Sequence, residues 1–519
     1  MRQKRTKPAL PSEAEVIVVG GGTSGAVVAG RLAEQGVDVL VLEAGPDPGP
    51  YGDPRWPVDL LDATRLPTSH DWGFHSGDTY PDRVVPFERA KVLSGCSAHN
   101  GAVQTWGHRI DYDGWAALGN PGWSTDELLP LFERASRRLR VRTYGVPELT
   151  PWQRAWYEAG PNAGLPWLKD LNDLDEGVGI APESVNIVNG IRWNSAFAYL
   201  DPVRDRGNLT IVGDAMVDRV LIRNGRTVGV SVLYEGELLN IACDCVVLAG
   251  GTFCSPAVLL RSGVGPAGQL RALDIRQVLE LPGVGANLHD QPFIMLRWQG
   301  SESMERAMAA QAARGWTPDE QAMAKAASSF ERDAFDMHML PYSPTHLFGE
   351  RSWHAGIGAL CPRSRGSVWL TSRDPAVLPG VDHRFLTDPE GHDAKVLAEG
   401  ITLLREMAED TKLAPILGRE LRPGPDIASP DALVAFVEQN PNSYWHPVGT
   451  CKMGPASDPD AVVDARGAVR GLDGCFVADC AVMPFVPRAT TAMPAVVIAE
   501  RIAGLMLDER RRRSVAISE

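Results

Sequence analysis

No apolar run in this sequence reaches the roughly 18 residues that a membrane-spanning helix needs, so no such helix is expected. Ahead of Glu13-Ala14-Glu15 stand Arg2, Lys4, Arg5 and Lys7 but no apolar core. That opening does not read as a secretory signal, and the expected location is cytoplasmic. The eight cysteines are scattered between Cys96 and Cys480 with no Cys-x-x-Cys pair, which argues for reduced thiols rather than a disulfide framework. No group of His, Cys and carboxylate residues has zinc spacing, so no metal is expected. Positive charge is in deficit, with 51 Lys and Arg against 65 Asp and Glu and a net charge of −14. That balance argues against nucleic acid or an anionic membrane as the main partner. The basic run Arg510 to Arg513 reads as a solvated tail. Internal repeats and low-complexity linkers are also absent.

What is present begins with Val16-Ile17-Val18-Val19 and Gly20-Gly21-Gly22-Thr23-Ser24-Gly25, followed by Val39-Leu40-Val41-Leu42-Glu43-Ala44-Gly45. This reads as strand, glycine turn, helix, and a second strand ending in an acid. Gly20 allows the tight turn, Gly22 lets the backbone approach a pyrophosphate, and Gly25 lets the helix pack closely. The pyrophosphate would sit at the helix N-terminus beside Thr23 and Ser24, where unpaired N–H groups favour negative charge. Glu43 is placed to hold ribose hydroxyls, with Ala44 beside it. The pattern does not separate FAD from NAD.

At 519 residues the chain is long enough for about two to four domains. Segment 209–250 reads as four strands: Leu209 to Val212, Val217 to Ile222, Val228 to Tyr234, and Cys245 to Leu248. A second glycine turn, Ala249-Gly250-Gly251, leads to a helix with Ser255 as N-cap and Pro256 at its first position. Residues 303–327 are rich in Ala, Met and Gln and read as helical or partly mobile. Strand-like runs follow at Phe335 to Leu340 and Gly366 to Leu370, with a long helix over 390–409. Nucleotide-binding signals at both ends and in the middle make the cofactor domain discontinuous. Its expected segments are 13–155, 193–296 and 445–508, with a substrate-binding domain over 156–192 and 297–444.

Several separated blocks together resemble the glucose–methanol–choline (GMC) family of FAD oxidoreductases. They are the first glycine turn with Glu43, Arg89 to Gly101, Gly250 to Pro266, Gly283 to Pro292, Trp445 to Thr450, and Val477 to Pro484. Within the family the chain is most similar to choline oxidase-like members, on Arg89 to Asn100 and Phe385 to Asp393. The resemblance implies an α/β (mixed α+β) fold. A Rossmann-like FAD-binding domain would be joined to a substrate domain of β-sheet plus helices. It also implies FAD as the cofactor. Contacts would come from the opening block, from Leu93, Ser97, His99, Asn100 and Gly101, from Val217, from Ala249 and Gly250, and from Asp479 and Thr491.

In the choline oxidase group the histidine that falls on His99 is joined covalently to FAD, so the same link is implied here. The family's catalytic histidine falls on His446. It would take the proton of an alcohol, or of a hydrated aldehyde, while hydride passes to flavin N5. O2 or another electron acceptor would reoxidise the flavin, and a homodimer is compatible with the family. Asn100 would help at the catalytic end, and Tyr444 and Trp445 would line the substrate pocket. Where the family places a second catalytic His or Asn, this chain has Thr490, which is no plausible base. Gly101 replaces a serine common among choline-oxidising relatives. Arg488, assisted by Lys325 or Arg332, could hold a substrate carboxylate. Glu320 reads as solvated, so no carboxylate is assigned to an ammonium group, and the expected substrate is an alcohol other than choline. The alternatives are a non-redox lyase or decarboxylase of the same fold, or an oxidase of a small carboxylate-bearing substrate.

Overall fold

The computed structural model describes residues 10–77, 85–343 and 352–518, with side chains to residue 513. One sheet is built on the strand Glu13–Val19, whose Val16 to Val19 are all buried. Such a continuous apolar run suits a parallel strand covered on both faces. It pairs in parallel with Val39–Leu42 on one side and Glu237–Leu248 on the other. Leu209–Val212 extends the parallel edge, and Cys475–Val477 also pairs in parallel with Glu237–Leu248. Arg226–Tyr234 and Ala215–Arg223 continue the sheet as an antiparallel meander. The helix Thr23–Glu34 packs against the long C-terminal helix Ala492–Ser518.

A second sheet is antiparallel throughout. Its order is Leu417–Arg422, Phe293–Gly300, Ser352–Ala359, Met337–Tyr342, Ala322–Ala326 and Gly179–Pro182. One face packs on the helix His392–Ala408. Trp152 and Trp156, on the helix Pro151–Ala159, join the same apolar core. The fold is therefore mixed α/β.

Several local expectations are corrected. The helix expected to begin at Pro256 begins five residues earlier, as Gly251–Arg261, with Pro256 inside it. Ser255 is not its N-cap; the Ser255 hydroxyl donates to Asp479 Oδ2 at 2.6 Å and accepts from the Gly250 N–H at 3.0 Å. Segment 303–327 is not uniformly helical. It divides into the helix Glu302–Ala312 and the buried strand Ala322–Ala326. Two expected domain boundaries fall inside elements, one within Pro151–Ala159 and one within Phe293–Gly300.

Candidate active site

A single cavity of about 870 Å³ starts at the carboxyl ends of the parallel strands and runs to the second sheet. Its nucleotide end is set by the glycine turn. Gly20 has φ +92°, and a Cβ there would lie 2.7 Å from Ala249 O. A Cβ on Gly25 would lie 1.8 Å from Gly20 O, so only glycine lets the helix start this close to the strand. At Gly22 the nearest atom to such a Cβ is 3.8 Å away, leaving open space against the cavity. Glu43 accepts from the Gly21 and Gly45 N–H groups, both at 2.8 Å. Burial pushes its carboxyl up to about 7, and those two hydrogen bonds oppose the shift.

Thr23, Ser24, Ala44, Val217, Ala249, Gly250, Asp479 and Thr491 line the same cavity. Asp479 is fixed by accepting from Gly251 N–H at 2.8 Å, Ser255 Oγ at 2.6 Å and Ala481 N–H at 2.8 Å. Gly25, Leu93 and Ser97, expected among the cofactor contacts, lie behind the wall instead. Leu93 is fully buried under Gly21. The Ser97 N–H donates to Thr23 Oγ1 at 3.0 Å, and the Ser97 hydroxyl donates to Ser94 O at 2.8 Å. Gly25 packs the helix start on the turn, and Leu93 and Ser97 support the loop beside it.

His99, Asn100 and Gly101 line the middle of the cavity. His99 Nε2 donates to Ser69 O at 3.1 Å, and burial holds the ring's pKa below its ordinary value. The ring is therefore neutral, and in this tautomer Nδ1 carries the lone pair. The Asn100 side chain accepts from Ala102 N–H at 3.0 Å and so shapes the turn.

The far end is organised by His446. Its backbone N–H donates to Asp290 Oδ1 at 2.8 Å. Asp290 Oδ2 accepts from Ser443 Oγ at 2.5 Å, and Ser443 Oγ in turn accepts the Trp445 N–H at 2.6 Å. Trp445 sits at φ +62°, a strained conformation for a bulky residue. It is pinned there: its indole donates to Glu88 at 2.7 Å, and its carbonyl accepts from Arg89 at 3.0 Å.

His446 Nδ1 lies 2.7 Å from Gln291 Oε1. The Gln291 amide is oriented by donating from Nε2 to Pro487 O at 3.0 Å and Leu360 O at 3.4 Å. Nδ1 therefore carries the proton, and Nε2 is left with its lone pair. Burial, with smaller effects from Arg89 and His338, holds the ring well below the usual histidine pKa. His446 is thus a neutral, oriented acceptor.

Thr490 also lines the cavity. Its hydroxyl donates to Val103 O at 3.2 Å, lies 2.9 Å from Thr105 Oγ1 and accepts from Thr105 N–H at 3.3 Å. It braces the wall and cannot take a substrate proton. Tyr444 lines the cavity as well, its ring 4.4 Å from that of His446.

Arg488 does not fit the expectation of a substrate clamp. It is outside the cavity, with its guanidinium held by the buried Asp111 and by Glu331, the latter at 2.6 Å, and its Nε donating to Phe335 O at 2.7 Å. Lys325 is likewise buried away from the cavity.

Glu320, read as solvated, is instead in the cavity wall. Its Oε1 would lie 3.0 Å from a Cβ on Gly101, so the missing side chain makes room for this carboxyl. Burial pushes Glu320 up to about 7, against a hydrogen bond from Tyr342. Asp290 and Gln291 stand in one of the quoted blocks, but only the fold brings them onto His446. Their sequence signal was the spacing Asn287-Leu288-His289-Asp290-Gln291-Pro292 alone.

Two family profiles, each described as GMC oxidoreductase, match residues 14–293 and 362–499. A curated relative, oxygen-dependent choline dehydrogenase of Paraburkholderia xenovorans (strain LB400), is 35% identical, with 95% of this chain and 94% of the relative covered. The crystal structure of pyridoxine 4-oxidase from Mesorbium loti superposes with a TM-score of 0.85 at 26% identity, covering 95% of this chain and 99% of that one. Formate oxidase shares the fold, with a TM-score of 0.85 at 21% identity over 97% of this chain and 100% of that one. The chain belongs to the GMC oxidoreductase family and is an FAD-dependent oxidoreductase. The cavity suits that cofactor: the open wall at Gly22, the helix start beside it and the Glu43 carboxylate form a cradle for a pyrophosphate and a ribose. Among the described residues, no helix is long and apolar enough to cross a membrane, and no cluster of His, Cys, Asp and Glu could hold a metal.

Proposed function

We propose that this protein oxidises an alcohol, or the hydrate of an aldehyde, with His446 as the base and O2 as the electron acceptor. The observation that carries the reading is the Nδ1–H of His446 held on Gln291, which turns a bare Nε2 into the proton acceptor. FAD, when bound, supplies the hydride acceptor at N5. The chain's own residues do the rest. Gln291 fixes the tautomer and Asp290 fixes the backbone of His446. Burial keeps the imidazole neutral and ready, while Tyr444 and Trp445 shield the end of the cavity. We assign Gly22, Thr23 and Glu43 to the ADP half of the cofactor and His99 to a covalent link with it. The unit around the parallel sheet holds FAD, and the antiparallel sheet walls the substrate.

Glu320 narrows the substrate. The Glu320 carboxyl suits an alcohol bearing a positive charge or a strong N–H donor, and Arg488, tied to Asp111 and Glu331, is not there to hold a substrate carboxylate. The choline dehydrogenases among the relatives bring cationic alcohols back among the candidates. The test is an anaerobic flavin-bleaching screen across choline, pyridoxine, aryl alcohols, sugars and hydroxy acids, followed by air. Bleaching by a cationic or N–H-bearing alcohol with fast reoxidation is expected. No bleaching by any alcohol would return the reading to non-redox chemistry, and slow reoxidation would make the protein a dehydrogenase.

A further inference from the structure

Behind His446, on the cavity-facing side of the antiparallel sheet, lies a row of buried polar groups that the reaction so far does not use. Lys325 and His338 are directly opposite each other on neighbouring strands. They are 1% and 0% exposed. Among the described residues, Lys325 Nζ, both His338 nitrogens and the Tyr444 hydroxyl have no hydrogen-bond partner. These groups are contiguous. Lys325 Nζ stands 4.8 Å from the Phe335 ring centre, the His338 ring stacks on Phe335 at 5.8 Å, and His338 meets Tyr444 edge-on at 6.1 Å. Tyr444 in turn meets His446 at 4.4 Å.

Buried polar atoms without partners are costly, and several in one place point to ordered water. A buried water needs several polar partners, and the Lys325 amine, the His338 ring and the Tyr444 hydroxyl offer them together. The acids that act most on the Lys325 charge are Glu176, Asp170 and Asp173 of segment 170–176, of which Asp173 is exposed. Burial brings the Lys325 amine down to about 8, so it can give up and regain a proton near neutral pH. His338, by contrast, is neutral, and its two nitrogens can accept and donate in turn.

We propose that Lys325, His338 and Tyr444 enclose bound water and form a proton exit from His446 to the acidic segment 170–176. The balance is simple. The alcohol O–H bond breaks, and its proton goes to His446 Nε2. The Nε2–H proton of the imidazolium then passes to the water beside Tyr444 and His338, while Nδ1–H stays on Gln291. Lys325 hands a proton on toward the carboxylates and bulk water, and each group ends as it began. No electrons move along this path.

The proposal rests on His446 being the base, and its test separates the two. A crystal structure of the FAD-loaded enzyme should show ordered water within hydrogen-bond distance of Lys325 Nζ and of His338 or Tyr444. A dry cluster overturns the exit. In single anaerobic turnovers with the alcohol that bleaches fastest in the screen, a pH indicator should report proton release in step with bleaching. Lys325→Met removes an orphan amine and should fold. It should bleach at the wild-type rate but release its proton late. Release that stays in step in Lys325→Met sends the proton out through the cavity mouth and overturns the exit alone. Wild-type bleaching in His446→Ala instead overturns the base, whatever the water shows.

Discussion

Replacing Gly25 by alanine should separate packing from cofactor contact. The new Cβ would stand 1.8 Å from Gly20 O and 3.0 Å from Gly20 C. To reach a tolerable contact the helix must back away by about 1.2 Å, because the partner atoms are backbone. The turn cannot retreat instead, since Gly20 is already close to Ala249 O. Overpacking of this kind costs about 1–3 kcal/mol, and two rigid backbones in contact put this site at the upper end. The helix start beside Gly22 and Thr23 moves with it. Gly22→Ala is the control, because its Cβ finds its nearest neighbour at 3.8 Å in the protein alone. Thermal unfolding of apoprotein and titration with FAD, both in a His99→Asn background that cannot form the covalent link, read both effects. Gly25→Ala should lose stability and FAD affinity together. Gly22→Ala should melt like the wild type and bind FAD weakly. Wild-type melting and full FAD loading in Gly25→Ala would refute the reasoning, as would unchanged FAD affinity in Gly22→Ala.

Other expected outcomes concern single residues. Arg488→Met strands the buried carboxylate of Asp111, so chemical denaturation should show a loss of about 3–5 kcal/mol, with an unchanged KM in whatever enzyme folds. His338 is held near 3 by burial, against an ordinary 6.5, so its neutral form is kept in the fold while the unfolded chain takes up a proton. Its contribution is thus lost as pH falls below about 6.5. Relative to wild type, His338→Phe should gain about 2 kcal/mol in denaturation between pH 8 and pH 5. No relative gain there would refute the neutral assignment. Acid-precipitated protein should stay yellow, and mass spectrometry should find the flavin on the peptide holding His99; a colourless precipitate from loaded protein would contradict the link.

The nucleotide end was legible because its signals are local. Strand, turn, helix and Glu43 stand within one short stretch, and each glycine meets a specific neighbour. The substrate side was less legible. Ala322–Ala326 carries alanines that favour helix in isolation, yet it pairs on both edges inside a sheet, so tertiary pairing overrides propensity. Arg488 looked free because Asp111, which neutralises it, is remote in the chain, and Glu331 comes from another loop. Glu320 looked solvated because nothing near it in sequence shows that Gly101 leaves room for its carboxyl. Ser255 had the residue type of a cap, but Asp479 draws its hydroxyl away.

The central claim is that a neutral His446 takes the substrate proton, and anaerobic stopped-flow bleaching of the bound flavin tests it directly. His446→Ala should still bind FAD but bleach about 100-fold or more slowly, as for loss of a positioned base. Because the ring's pKa is held well below the usual value, the limiting bleaching rate of the wild type at saturating alcohol should not fall as pH drops through 6.5, while Glu320, held up to about 7, weakens binding of a cationic alcohol over the same range. A His446→Ala variant that bleaches at the wild-type rate would contradict the account.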